Sequence, residues 1–360
     1  MIIISTQCFP PRTGGIETLM CSLARALHRS GREVMVFADG YGGETGFDQN
    51  QPFPVRRISG LKPLRRYKKA KAVAKAAAGA KAVIVDTWKS LERLKPQEDR
   101  PILCLVHGTE LPMICSRRKK SRIQKALAKA TAIIPNSQYT ADRLKHFSVD
   151  NSKIHVIHPG IEPPEATTTD SPRELRPGDS PVLISVGRLE ARKGIDTVIN
   201  LMPRLVKKYP SLHYFVLGGG SQKKLLEALV TKHGLVEQVT FIGPVDETTR
   251  NAYLRASDLF VLPGRTEGND VEGFGIAFIE AAWFGIPAVA GRAGGAVEAV
   301  IHNQTGLVCD GSDPEAVHAA ICRLLDNDAL REQLGKTAER RARDFLWSDV
   351  IKSYFPLLDA

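Results

Sequence analysis

No apolar stretch in this 360-residue sequence approaches the roughly 18–20 residues that a membrane-spanning helix requires, which excludes a helical integral membrane protein. The start, MIIISTQCFPPRTGG, has no basic n-region, and its apolar run is too short for a secretory leader. A cytoplasmic chain is therefore expected, with membrane contact that is peripheral if it exists. The six cysteines (Cys8, Cys21, Cys104, Cys115, Cys309 and Cys322) form no C-x-x-C pair and no Cys/His cluster at zinc spacing. Cys8 and Cys104 lie in or beside apolar runs and Cys21 and Cys322 in helical patterns, which fits reduced, mostly buried thiols. The 30 glycines and 22 prolines follow no collagen-like period, so a fibrous chain is excluded. No G-x-G-x-x-G is present, and Gly218-Gly219-Gly220 has the wrong spacing for one, which argues against a nicotinamide enzyme.

Acid is scarce only in the first half. Residues 1–170 carry 28 Lys and Arg against 15 Asp and Glu, a net of +13; residues 171–360 carry 22 against 24, a net of −2. The overall +11 thus lies wholly in the first half and needs a local explanation: a membrane surface, a polyanion or an acidic substrate.

The length fits two domains of roughly 150–200 residues each better than one core. Strands are predicted at Ile2–Ser5, Glu33–Ala38, Ala82–Asp86, Ile102–Val106, Ala132–Pro135 and Ile154–Ile157. A second series follows at Pro181–Val186, His213–Leu217, Val239–Ile242, Leu259–Leu262 and Pro287–Ala290. After the first strand, Ile16, Leu19, Met20, Leu23, Ala24 and Leu27 recur at helical spacing, with Gly31 as the stop. Further helical patterns fall at about 194–207, 221–233, 247–256, 275–285 and 313–325. Near-continuous apolar strands alternating with helices predict an α/β chain of two Rossmann-like, doubly wound domains with a cleft between them. Ligands in such sheets sit at the carboxyl ends of the strands. Residues 159–181, with six prolines and no period, read as the linker.

Four strand ends carry chemistry. Thr13-Gly14-Gly15 precedes the first helix; it is compatible both with a plain turn and with close backbone approach to an anion at a helix N-terminus. His107-Gly108-Thr109-Glu110 closes a strand; His107 is either a satisfied structural histidine or a hydrogen-bond partner of a substrate hydroxyl. No second ligand accompanies it at metal spacing. Gly187-Arg188-Leu189-Glu190-Ala191-Arg192-Lys193-Gly194 places cations in a strand-to-helix loop, either solvated or holding a diphosphate, with Arg as a fork and Lys as a point charge. The most specific segment is Asp270-Val271-Glu272-Gly273-Phe274-Gly275-Ile276-Ala277-Phe278-Ile279-Glu280. One ligand across the start of that helix could touch both glutamates, with hydroxyls on the carboxylates and phosphate on the amides. Ile276, Phe278 and Ile279 bury the helix.

In this combination the sequence resembles a retaining glycosyltransferase of family four, with the GT-B fold. The resemblance covers nearly the whole chain: PPRTGGIE (10–17), PNSQYTADRLK (135–145), VIHPGIE (156–162), SVGRLEARKG (185–194), LGGG (217–220), FIGPV (241–245) and DVEGFGIAFIEAAWFGIPAVAGRAGG (270–295). The DVEGFGI stretch is similar to phosphatidyl-inositol mannosyltransferases that use GDP-mannose. The resemblance implies an acceptor-binding domain at 1–165 and a donor-binding domain at 166–345. It also implies a last helix, about 346–360 with Trp347 and Tyr354, that crosses back onto the first domain. Arg188 and Lys193 would bind the donor's diphosphate, with Gly15 facing it. Glu280 would hold the ribose hydroxyls, Glu272 the sugar hydroxyls, and His107 the sugar near its reacting face. Backbone at Gly243–Val245 would hold the base, with Gly218 and Gly219 near the nucleoside and Gly273, Phe274, Gly275 and Ile276 lining the donor. Neither a cofactor nor a metal is implied, because Arg188, Lys193 and the helix at 275 would stabilise the departing diphosphate.

Acceptor choice belongs to the first domain. From Arg56 to Lys81 there are ten Lys and Arg without an acid, and from Leu111 to Ala141 seven more, densest at Arg117-Arg118-Lys119-Lys120. Polybasic segments attract anionic lipid by about 1 kcal/mol per cation near the surface. Ala72, Val73, Ala76 and Ala77 form an apolar face too poor for deep insertion. With Tyr67 as the only aromatic of the first patch, nucleic acid is not expected as a partner. The reading is a hexosyltransferase, mannose favoured, acting on a lipid-linked or envelope-glycan acceptor at an anionic membrane surface touched by Arg56–Lys81 and Arg117–Lys129. Its rivals are a UDP-sugar transferase with a soluble acceptor and a non-catalytic anion-binding scaffold.

Overall fold

The computed structural model describes residues 1–95, 100–164 and 180–360. By their contacts they divide into two units, Met1–Glu162 with Phe345–Ala360, and Pro163–Asp344. Most of the expected linker, residues 165–179, lies outside the described residues.

The first unit is built on six parallel strands: β1 (Ile2–Thr6), β2 (Val34–Asp39), β3 (Val55–Ile58), β4 (Ala82–Val85), β5 (Ile102–Val106) and β6 (Ala132–Pro135), in the order β3-β2-β1-β4-β5-β6. Successive side chains leave a strand on opposite faces. Ile2, Ile4, Val36, Ile84 and Leu103 therefore meet the helix Gly15–Arg29 on one face, together with Trp347, Ile351, Tyr354 and Leu358. Ile3, Phe37, Val83, Val85 and Cys104 meet the helices Lys62–Ala77 and Arg117–Leu127 on the other. Both faces are covered, so these strands read as continuous apolar runs rather than alternating ones.

The second unit repeats the plan with β7 (Val182–Val186), β8 (His213–Leu217), β9 (Val239–Gly243), β10 (Leu259–Leu262), β11 (Ala288–Gly291) and β12 (Gly306–Cys309), in the order β12-β11-β10-β7-β8-β9. The order reverses between β1 and β4 in one sheet and between β7 and β10 in the other. In open α/β sheets the crevice at such a switch point is where ligands bind. The α/β, doubly wound fold is thus the one read from the sequence.

The structure corrects four details. Ile154–Ile157 is not a strand: it makes one bridge, Ile154 to Ile133, and donates from His155 to Ile133 (2.9 Å) and from Ile157 to Pro135 (3.1 Å). Pro135 has no N–H with which to answer. The strands β3 and β12 had no counterpart in the pattern. β3 is a half-exposed sheet edge that carries Arg56 and Arg57, and β12 is four residues opening on Gly306, so no long apolar run marks either. The helix Asp328–Ala342 was also missed; its charged sequence is interrupted by Gly335, the residue that lies against Gly285 beside the helix Ile276–Ala282. The last helix is three short pieces, Trp347–Val350, Ile351–Tyr354 and Phe355–Leu358.

Candidate active site

In the second unit the chain leaves β7 through Gly187, makes one tight turn over Ala191–Lys193, and enters the helix Ile195–Lys208 at Gly194. That turn decides which cations face inward. Arg192 and Lys193 are buried, whereas Arg188 is 59% exposed and pairs with Glu190 at 3.0 Å. Glu272 arrives from the segment after β10, across the switch point. Its Oε2 accepts from Arg192 Nη1 at 3.0 Å and from Lys193 Nζ. Arg192 also bonds Glu190 Oε2 through Nη2 at 2.9 Å. Burial alone would raise the Glu272 carboxyl, but Lys193 and Arg192 outweigh it and hold the group at about 2. The cluster therefore sets three cations against two fixed carboxylates at the strand ends. Arg192 was not among the donor-site residues chosen from the sequence. Its signal was only its place beside Lys193, and nothing in the string says which of three nearby cations turns inward.

One backbone feature presents Glu272. Gly275 opens the two-turn helix Ile276–Ala282 in the left-handed region (φ 87°), and a Cβ there would fall 2.6 Å from the Phe278 ring and 3.4 Å from Glu272 Cγ. Phe274 is buried, so what it can offer a ligand is backbone, and Gly273 is buried beside it. Phe278 packs edge-on to Phe260 of β10 at 5.3 Å and fixes the helix to the sheet. Glu280 lies four residues into this helix and pairs with Arg250 Nη1 at 2.9 Å.

The loops after β8 and β9 close against the β7 loop. Gly218 donates to Gly243 O at 2.8 Å, and Leu189 donates to Gly219 O at 3.0 Å. Gly218 (φ 127°) passes so near the Gly187 carbonyl that a Cβ would sit 2.0 Å from its oxygen. Val245, half buried, follows β9 in the short loop before the helix Glu247–Arg255. Lys193, Glu272, Gly218, Gly219, Val245 and Glu280 thus all lie in the second unit at or after strand ends, whereas Arg188 is turned from Glu272 toward Glu190.

In the first unit, Gly15 is the exposed first residue of the helix Gly15–Arg29. His107 follows β5 and is buried; its Nε2 lies 2.9 Å from Asp86 O, and its backbone N donates to Glu110 Oε1 at 2.7 Å. A carbonyl only accepts, so Nε2 carries the hydrogen, and in the neutral ring Nδ1 is an acceptor. Among the described residues no three His, Cys, Asp or Glu side chains converge to hold a metal ion.

Two doubly wound units in one chain, each with the same strand order, give the chain the GT-B fold. Anabaena Alr3699/HepE, solved with UDP and glucose, superposes with a TM-score of 0.84 at 20% identity over 99% of each chain. Sucrose-phosphate synthase from Thermosynechococcus elongatus gives 0.82 at 22% identity over 99% of this chain and 98% of that one. The family model for glycosyltransferase family 4 matches residues 13–164, and that for glycosyl transferases group 1 matches residues 166–341. The chain belongs to this glycosyltransferase family. It is 27% identical, over 95% of its own length and 94% of the relative's, to the GDP-mannose-dependent alpha-(1-6)-phosphatidylinositol monomannoside mannosyltransferase of Mycolicibacterium smegmatis.

Proposed function

We propose that the protein transfers a hexose, mannose in the first instance, from a nucleoside-diphosphate sugar to a hydroxyl of a lipid-linked or envelope-glycan acceptor, with the anomeric configuration retained. The observation that carries this reading is the Glu272–Arg192–Lys193 cluster at the β7/β10 switch point. Both cations sit on Oε2, so Oε1 remains to accept hydroxyls of a donor sugar while Arg192 and Lys193, with Arg188, are available to a diphosphate. In the step itself the bond from C1 to the β-phosphate oxygen breaks and a bond from the acceptor oxygen to C1 forms on the same face. The acceptor's proton passes to the departing phosphate, whose charge the cations stabilise. His107, whose Nε2 is taken by the Asp86 carbonyl, would meet a sugar hydroxyl through Nδ1. No metal is required by this scheme.

On the acceptor side, several cations gather near Lys89. Burial depresses its ammonium pKa, Glu110 opposes that, and Arg66, Lys62 and Lys119 lower it further. An acceptor carrying phosphate would relieve this repulsion. On and beside the basic helix Lys62–Ala77, Leu61, Leu64 and Tyr67 are exposed, as are Met113 and Ile114 ahead of Arg117. No helix among the described residues is long and apolar enough to cross a membrane. We assign this basic, apolar-tipped face to the anionic inner surface of the cytoplasmic membrane.

A thermal-shift screen of GDP, UDP, ADP and their sugars tests the donor half, because a ligand of the folded state raises stability by mass action. GDP and GDP-mannose are expected to raise the melting temperature most. A response to UDP-sugars in their place selects the UDP-dependent rival, and no response to any nucleotide removes the transferase reading.

A further inference from the structure

Both glutamates of the segment Asp270–Glu280 are held at one carboxylate oxygen by an arginine from another element. For Glu272 that arginine is Arg192; for Glu280 it is Arg250, whose Nη1 donates to Oε1. Arg250 belongs to the helix Glu247–Arg255, which starts directly after Pro244-Val245-Asp246, with Asp246 capping it by accepting from Thr249 N at 2.8 Å. The guanidinium is itself fixed. Its Nη2 faces Glu247 Oε1 at 3.3 Å, and Nε and Nη2 donate to Asn251 Oδ1 at 3.3 and 3.2 Å. The side chains of Arg250 and Glu280 are 19% and 15% exposed, so water screens the pair weakly.

We propose that Arg250 is a positioning residue of the donor site. It holds Glu280 by Oε1 so that Oε2 is presented to the vicinal hydroxyls of a ribose, and it ties that glutamate to the loop assigned to the base. The inference rests on the nucleotide-sugar reading above. A carboxylate oxygen accepts about two hydrogen bonds, so the arginine uses one site and leaves the others to hydroxyl donors. A free glutamate would have to freeze its rotors when the ribose arrives; one already fixed avoids that cost. The single ion pair also gives the base loop and the ribose-reading helix one mechanical connection, so fixing one fixes the other.

The test is calorimetric titration of the full chain with GDP and UDP, each beside its 2′,3′-dideoxy counterpart. Wild type is expected to prefer the ribonucleotide by about tenfold or more, the size of a charge-assisted hydrogen bond. Arg250→Gln is expected to bring that ratio most of the way to one while leaving dideoxynucleotide affinity near wild type. Glu280→Gln should do the same, and the double variant should lose no more than either single one. Arg250→Lys, which keeps the charge, should retain an intermediate ratio. An unchanged ratio in Arg250→Gln overturns the proposal, as does an equal loss for both ligands, which marks a plain structural fault. Wild type that binds nucleotides without preferring ribose overturns the ribose role and leaves nucleotide binding intact. Wild type that binds neither nucleotide removes the transferase reading itself.

Discussion

Glu272 concentrates the electrostatics of the second unit. Its carboxyl ordinarily titrates at 4.5 and is held at about 2 by Lys193 and Arg192 against the opposing effect of burial. Between those pH values the unfolded chain binds a proton that the folded one refuses, so folding stability falls as the pH drops through that window. The shift corresponds to as much as about 3 kcal/mol, present above pH 4.5 and gone below 2. Glu272→Gln leaves two buried cations facing an amide and is expected to cost about 3 kcal/mol at pH 7. Urea denaturation of both proteins at neutral pH, at pH 4.5 and at pH 3 should show their difference shrinking as the pH falls. Parallel curves at all three would mean that the pair contributes nothing. The sequence shows both glutamates and the three cations, since spacing and residue type are visible there. It does not show that Arg192 rather than Arg188 meets Glu272, because one turn of backbone over Ala191–Lys193 decides that.

At the scale of elements, the helix Lys62–Ala77 shows how far a charge run can be read. Its cations have no acid among their neighbours in sequence, yet Lys69 is buried on Asp39, Arg65 lies 2.9 Å from the same carboxylate, and Arg57 before it pairs with Asp48 at 2.7 Å. In the second run Arg122 pairs with Glu92 at 2.7 Å. The partners come from other strands and loops, so composition overstates the free charge. Val73 and Ala77, read as part of a weak surface face, belong to the core instead. The exposed apolar residues are Leu61, Leu64 and Tyr67, near the helix start and interleaved with exposed Lys62, Lys68 and Lys71. Each lysine near an anionic surface contributes about 1 kcal/mol, so reversing these three should weaken binding to anionic vesicles by at least about a hundredfold. Flotation with anionic and with neutral lipid reads this directly. Wild type that floats with neither would contradict the membrane assignment.

Across the whole molecule, one strand order occurs twice on opposite chemistries, a basic unit and a nearly neutral one. The order was legible wherever both faces of a strand are buried, as in Ile2–Thr6 or Leu259–Leu262, because continuous apolar runs between helical patterns admit little else. It was not legible at β3, a half-exposed edge carrying Arg56 and Arg57, nor at β12, four residues opening on Gly306, nor at Ile154, where extended chain runs along β6 but Pro135 cannot complete the ladder. The candidate site residues Lys193, Glu272, Gly218, Gly219 and Val245 are placed at or after strand ends. There, residue type announces a role, and backbone geometry then grants or withholds it. The claim on which the rest depends is retaining transfer from a nucleotide sugar. Its most direct measurement is the anomeric configuration of the product, read by NMR after incubation with GDP-mannose and a lipid-linked acceptor in anionic vesicles, alongside the nucleoside diphosphate released. Retention gives an α-linked mannoside from the α-linked donor, with one GDP released per linkage formed. A β-linked product, or no transfer from any nucleotide sugar, would contradict it.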